Sequence, residues 1–146
     1  MRRLNSGISM KRSELREAEF LVLFRALFNA TTEMEGQTEM FFSEEGEDLR
    51  VEVKDEDREY VQTRVMDMVD KLEEIDKMIS ERATGWTLDR FGKVDLTIVR
   101  LAVYEIVFDE DIPLGVSINE AVELAKKYGR DESGAFVNGV LAKFAK

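Results

Sequence analysis

Between Leu96 and Phe108 the chain is apolar on nearly every side that a helix would have. Leu96, Ile98, Val99, Leu101, Ala102, Val103, Tyr104, Ile106, Val107 and Phe108 are interrupted by only two charges, Arg100 and Glu105. A helix of this kind has no polar face to leave in water, so it must be surrounded by other elements and form the centre of the fold. It is also too short for the roughly 18 apolar residues that span a bilayer. Arg100 then requires a carboxylate partner, because an unpaired buried charge is costly. Asp109-Glu110-Asp111-Ile112-Pro113 ends the helix, since proline cannot continue it and restricts the residue before it.

The rest of the chain supplies helices to surround it. From about Lys11, Leu15, Phe20, Leu23, Phe24, Leu27 and Phe28 recur at helical steps. Thr31, Thr32 and Gly36 interrupt, and Met40, Phe41, Phe42 and Leu49 outline a short second helix beside the acidic run Glu44, Glu45, Glu47 and Asp48, read as a solvated face or loop. Val61, Val65, Met68, Leu72, Ile75 and Ile79 form one continuous stripe, predicting a long third helix with Asp55, Glu56 and Asp57 at its dipole-favoured start. Gly85 and Gly92 bracket a turn carrying Trp86, Leu88 and Phe91. Ser117-Ile118-Asn119-Glu120 has the form of a capping box. The helix it opens carries Ile118, Ala121, Val122, Ala125 and Tyr128 on one face and stops at Gly129. A last helix begins near Ser133 with Phe136, Val137, Val140, Leu141 and Phe144. The expectation is an all-α protein of six or seven helices, with residues 1–10 a flexible basic arm and 11–146 one domain.

Composition then limits the chemistry. With no cysteine and no histidine, disulfides, thiolate zinc sites, cysteine nucleophiles and the usual neutral-pH general base are excluded. Glycine-rich phosphate loops, dinucleotide fingerprints and nucleophile elbows do not occur. The runs at Asp55 and Asp109 suggest calcium loops, but Tyr60 and Leu114 stand where such a loop needs glycine. No catalytic residue, metal or cofactor is expected, and the chain is read as a cytoplasmic non-enzyme without membrane attachment.

The net charge of −10 argues against a nucleic-acid partner until its distribution is considered. Residues 1–16 set Arg2, Arg3, Lys11, Arg12 and Arg16 against Glu14 alone. Residues 121–146 set Lys126, Lys127, Arg130, Lys143 and Lys146 against Glu123, Asp131 and Glu132. Brought together by the fold, the two ends would make a basic patch on an acidic body, and phosphate binding depends on local potential.

The C-terminal third carries a resemblance. Asp95-Leu96-Thr97-Ile98-Val99-Arg100-Leu101-Ala102-Val103-Tyr104-Glu105 is followed by Asp111-Ile112-Pro113. Ile118-Asn119-Glu120-Ala121-Val122-Glu123-Leu124-Ala125-Lys126-Lys127-Tyr128-Gly129 and Phe136-Val137-Asn138-Gly139-Val140-Leu141 come next. These blocks, in this order and spacing, resemble the NusB family, and Arg16-Glu17-Ala18 leading to Leu23-Phe24 resembles the family's first helix. The resemblance implies two small helical bundles packed around the central helix, here approximately 11–83 and 84–146. It further implies binding of boxA-like single-stranded RNA together with NusE, the tenth protein of the small ribosomal subunit. That pair joins an RNA polymerase elongation complex with other Nus factors, supporting ribosomal RNA transcription. Some family members form homodimers that hide the RNA surface.

Carried over residue by residue, the resemblance assigns RNA contact to Lys11, Arg12, Arg16, Glu132 and Phe136, and NusE contact to Phe24 and Asp95. Each has a plainer reading. The three cations suit a solvated helix face, Phe24 and Phe136 suit the core, and Glu132 and Asp95 suit the first turn of a helix. Glu14 and Ala135 stand where relatives carry basic residues, which favours the competing function of an acidic protein-interaction module with weakened RNA binding. Within its block Gly139 is read as a close helix–helix contact.

Overall fold

The computed structural model describes residues 9–49, 53–83, 85 and 87–145, with the side chains of all of these except 44–49 and 90. The described residues form seven α-helices and no sheet: α1 (Arg12–Phe24), α2 (Glu35–Leu49), α3 (Asp55–Asp70), α4 (Leu72–Arg82), α5 (Lys93–Phe108), α6 (Leu114–Tyr128) and α7 (Ser133–Ala142). Single 3-10 turns lie at Arg25–Leu27, Thr31–Glu33 and Leu88–Arg90. No helix among them is long and apolar enough to cross a membrane. The all-α expectation of six to seven helices holds. The contacts divide the chain into two units, Met1–Val69 and Asp70–Lys146, where the sequence reading put its subdomain boundary near 83/84.

In the second unit the all-round apolar segment is α5, whose residues 96–99 and 101–105 are all buried. It packs against α4, α6 and α7, and α6 packs in turn along α7. Arg100 finds its carboxylate on α4. Its Nε and Nη2 each donate to one oxygen of Asp76 at 2.8 Å, a two-pronged pair only partly exposed to water. Planar guanidinium and carboxylate match in this geometry, which compensates their desolvation.

In the first unit α1 packs on α2. Phe20, Val22, Leu23, Met34, Phe42, Val61, Val65 and Met68 are its most deeply buried apolar residues. The N–H of Met10 donates to Asp57 Oδ2 at 2.9 Å, fastening the start of α1 to the first turn of α3. Arg2, Arg3 and most of the expected basic arm lie outside the described residues, as does Trp86. The acidic run of Glu44 to Asp48 falls on the backbone of α2, its side chains outside the description.

Three expectations need correction. The long third helix is two helices: Lys71, at φ −102° and ψ 5°, leaves helical geometry, and its carbonyl accepts the first bond of α4 from Ile75 at 2.8 Å. The stripe survives the break: Val61, Val65 and Met68 are buried in the first unit, and Ile75 and Ile79 are buried in the second. Ser117 is not a cap. Helix α6 starts at Leu114 after Pro113, and the buried Ser117 hydroxyl donates to the buried Glu105 Oε1 at 2.9 Å. Proline preorganises a helix start, so it displaced the serine from that role. Gly139 makes no helix–helix contact: it is exposed, and a Cβ there would meet nothing within 4 Å. The tight glycine is Gly129 at the end of α6, where a Cβ would lie 2.6 Å from the Ser133 side chain and 2.7 Å from the Ala125 carbonyl.

Candidate nucleic-acid interface

The residues expected at the interface fall on both units. In the first, Lys11 is the N-cap of α1 and its N–H donates to Glu14 Oε1 at 2.7 Å. Glu14 is therefore a capping side chain as well as a negative charge, closing back on the helix end where the dipole favours an anion. Lys11 and Arg12 are exposed. Arg16 is 8 % exposed, and Ala18, Glu19 and Phe20 in the following turn are buried as well. The structure thus separates the three expected cations into two that face solvent and one that faces inward. One turn of helix separates Arg12 from Arg16, and the helical period that aligns them does not say which side of the stripe is covered.

Phe24, the last residue of α1, is half-buried. Its ring lies 6.4 Å from that of Phe20 and meets the ring of Phe28 edge-on at 5.5 Å. Phe28 was counted with the apolar stripe but is 63 % exposed, beyond the helix in the 3-10 turn's wake, and Met40 of α2 is 51 % exposed. Sequence reasoning missed these two. The available signal was Asn29-Ala30, which ends the helical period directly after Phe28. Arg25 spans α1 and α2 by donating to Gln37 Oε1 at 3.1 Å while stacking over Phe41.

In the second unit, Asp95 is half-buried in the first turn of α5, where the helix dipole favours a carboxylate. Glu132 is exposed at the N-cap of α7 and makes no side-chain capping bond; Ser133 Oγ instead accepts the Arg130 N–H at 2.9 Å. Phe136 stands one turn along from Glu132 and donates its N–H to the Glu132 carbonyl at 3.0 Å. Its ring is half-buried, supported edge-on by the buried ring of Phe91 at 5.1 Å, with planes at 71°. The ring is thus packed on Phe91 on one side and keeps part of its surface in water. A supported, part-exposed aromatic is the form that stacks on an unpaired base. Among the described residues no group of three or more acidic side chains is arranged to hold a metal ion.

Comparison with known proteins is consistent across sequence and structure. The family model described as the NusB family matches residues 13–146. A transcription antitermination protein NusB of Agathobacter rectalis is 52% identical over 136 residues, covering 93% of this chain and all of the relative. One of Lachnoclostridium phytofermentans is 48% identical, covering 92% of this chain and 98% of the relative. Among solved structures, T. maritima NusB superposes with a TM-score of 0.81 at 34% identity, over 94% of this chain and 92% of that one. The antitermination factor NusB solved with NusE and double-stranded RNA gives a TM-score of 0.72 at 32% identity, over 91% and 94% of the two chains.

Proposed function

Since the chain belongs to the NusB family, we propose that it acts in transcription antitermination by binding boxA-like single-stranded RNA cooperatively with NusE, within an RNA polymerase elongation complex that supports ribosomal RNA synthesis. The observation that carries this reading is the half-exposed Phe136 ring braced by Phe91, a stacking platform that a purely internal aromatic would not offer. Lys11 and Arg12 supply exposed cations on α1 for phosphate. Phe24 and Asp95 are the residues assigned to NusE, and the exposed Phe28 beside Phe24 widens the apolar surface available to a protein partner.

Titration of labelled boxA RNA with and without NusE tests the proposal. The expected result is modest, salt-sensitive affinity for the chain alone, raised strongly by NusE through a coupling that is reciprocal between the two ligands. Absence of cooperativity rejects it. The burial of Arg16 favours a second reading, an acidic protein-interaction module with weakened RNA recognition, because it removes one cation from a start already carrying Glu14. NusE binding that persists with no RNA affinity at low salt would select that second reading.

A further inference from the structure

Helices α6 and α7 enclose an open groove of about 510 Å³ whose lining includes Ile118, Asn119, Val122, Lys126, Asp131 and Asn138. Its make-up is unlike a packing defect. The floor is apolar: Ile118 and Val122 are only half-buried, although their spacing places them with the core-facing residues of α6. Gly134 leaves the floor open, since a Cβ there would rest in ordinary contact with Val122 Cγ1 at 3.7 Å and Lys126 Cγ at 3.6 Å. Two carboxamides, Asn119 from α6 and Asn138 from α7, are exposed on its walls, and neither makes a hydrogen bond among the described residues. The one cation, Lys126, is offset by Asp131 and also reaches Glu123 Oε2 at 3.4 Å.

A phosphate would meet no net positive charge here, so the groove does not suit a phosphate. A flat, uncharged ring with alternating donors and acceptors along its edge suits it well. Apolar faces would lie against Ile118 and Val122, and each carboxamide offers both a donor and an acceptor. From this geometry we infer that the α6–α7 groove receives one unstacked nucleobase of a single-stranded RNA and reads its edge with Asn119 and Asn138. Bases of single-stranded RNA are recognised in this way, by splaying out and hydrogen-bonding on their edges. Phe136 and Asn138 stand two residues apart on α7, about 200° around the helix, so a base in the groove and one stacked on the ring meet different faces of α7. The inference rests on the RNA reading above and adds base selectivity to it.

The test uses the full chain with a short single-stranded RNA and the same RNA carrying an abasic nucleotide at each position in turn. Asn119→Ala and Asn138→Ala are each expected to weaken the intact RNA about fivefold or more, the scale of a good amide–base contact. At one abasic position that loss disappears, so variant and native chains bind equally. Gly134→Ala should weaken the RNA similarly while leaving the thermal midpoint unchanged or higher, a combination that simple misfolding does not produce. If all three variants bind RNA as the native chain does while Phe136→Ala weakens it, the groove assignment is overturned and the RNA reading stands. If the native chain binds no RNA at low salt, both fail together. If the variants keep RNA affinity and lose the protein partner, the groove is a protein-docking surface and the inference is wrong.

Discussion

The ring of Phe91, at the end of a 3-10 turn, stands edge-on to the ring of Phe136 on α7, with centroids 5.1 Å apart. The two differ in exposure: Phe91 is 6 % exposed, whereas Phe136 is half-buried. One ring is anchored in the core and holds the other at the surface. Edge-to-face pairs of this kind contribute about 0.5–1.5 kcal/mol beyond their burial.

Phe136→Ala is therefore expected to reduce RNA affinity about five- to hundredfold, the loss of ~1–3 kcal/mol of base stacking, with a small effect on the unfolding midpoint. Phe91→Ala should behave in the opposite proportion, costing about 3 kcal/mol of stability through an internal cavity. Equilibrium denaturation and RNA titration of both variants separate the roles. Unchanged RNA binding by a folded Phe136→Ala chain removes the stacking assignment.

The three cations of α1 should also divide. Replacing exposed Lys11 or Arg12 by alanine is expected to leave stability unchanged and to flatten the dependence of log K on log salt by about 0.7 each, one phosphate contact on a single strand. Arg16→Ala should lower stability and leave the salt slope alone, because its side chain is buried. An Arg16 variant with native stability and a reduced slope contradicts this assignment.

The Ser117–Glu105 bond makes a prediction that a capping role does not. Ser117→Ala removes a donor from a buried carboxylate and is expected to cost about 1–3 kcal/mol. Ser117→Asp, acceptable at a helix cap, places a second carboxylate beside Glu105 and should be the more damaging change. Urea unfolding of the two variants ranks them.

Arg100→Lys keeps the charge but not the fork that matches Asp76. Both side chains retain some solvent contact, so the expected cost is about 1–2 kcal/mol, with Arg100→Met larger because it strands the carboxylate. Equal stabilities for native and Arg100→Lys chains would show that the two-pronged geometry is unimportant.

Two glycines should respond with opposite signs. Gly139→Ala, in open space on α7, is expected to stabilise by up to about 1 kcal/mol through helix propensity. Gly129→Ala forces a Cβ to within 2.6 Å of Ser133 and should destabilise the α6–α7 junction. Thermal midpoints moving in the same direction for both would refute this difference.

Much of the architecture could be read before any coordinates. An all-round apolar run admits only an enclosed helix, and α5 is one, with the predicted carboxylate waiting for Arg100. The stripe from Val61 to Ile79, the proline stop after α5 and the glycine stop at Gly129 are local properties of covalent chemistry and periodicity, and they determine helix content and much of the element order. The order and spacing of the C-terminal blocks likewise carried the family resemblance, which periodicity alone would not have supplied.

Tertiary structure decided which neighbour meets each face. Periodicity assigns Arg16, Phe28 and Val122 to a helical face, but only packing reveals that the arginine is covered, the phenylalanine is left in water and the valine lines a groove. Ser117 looked like a cap because its local pattern permits one, yet a glutamate twelve residues earlier claimed its hydroxyl. The break at Lys71 contains no proline or glycine and left no local mark. Local sequence determines dihedral preference over a few residues, whereas burial and hydrogen-bond partnership depend on segments distant in the chain, which only the assembled fold brings into contact.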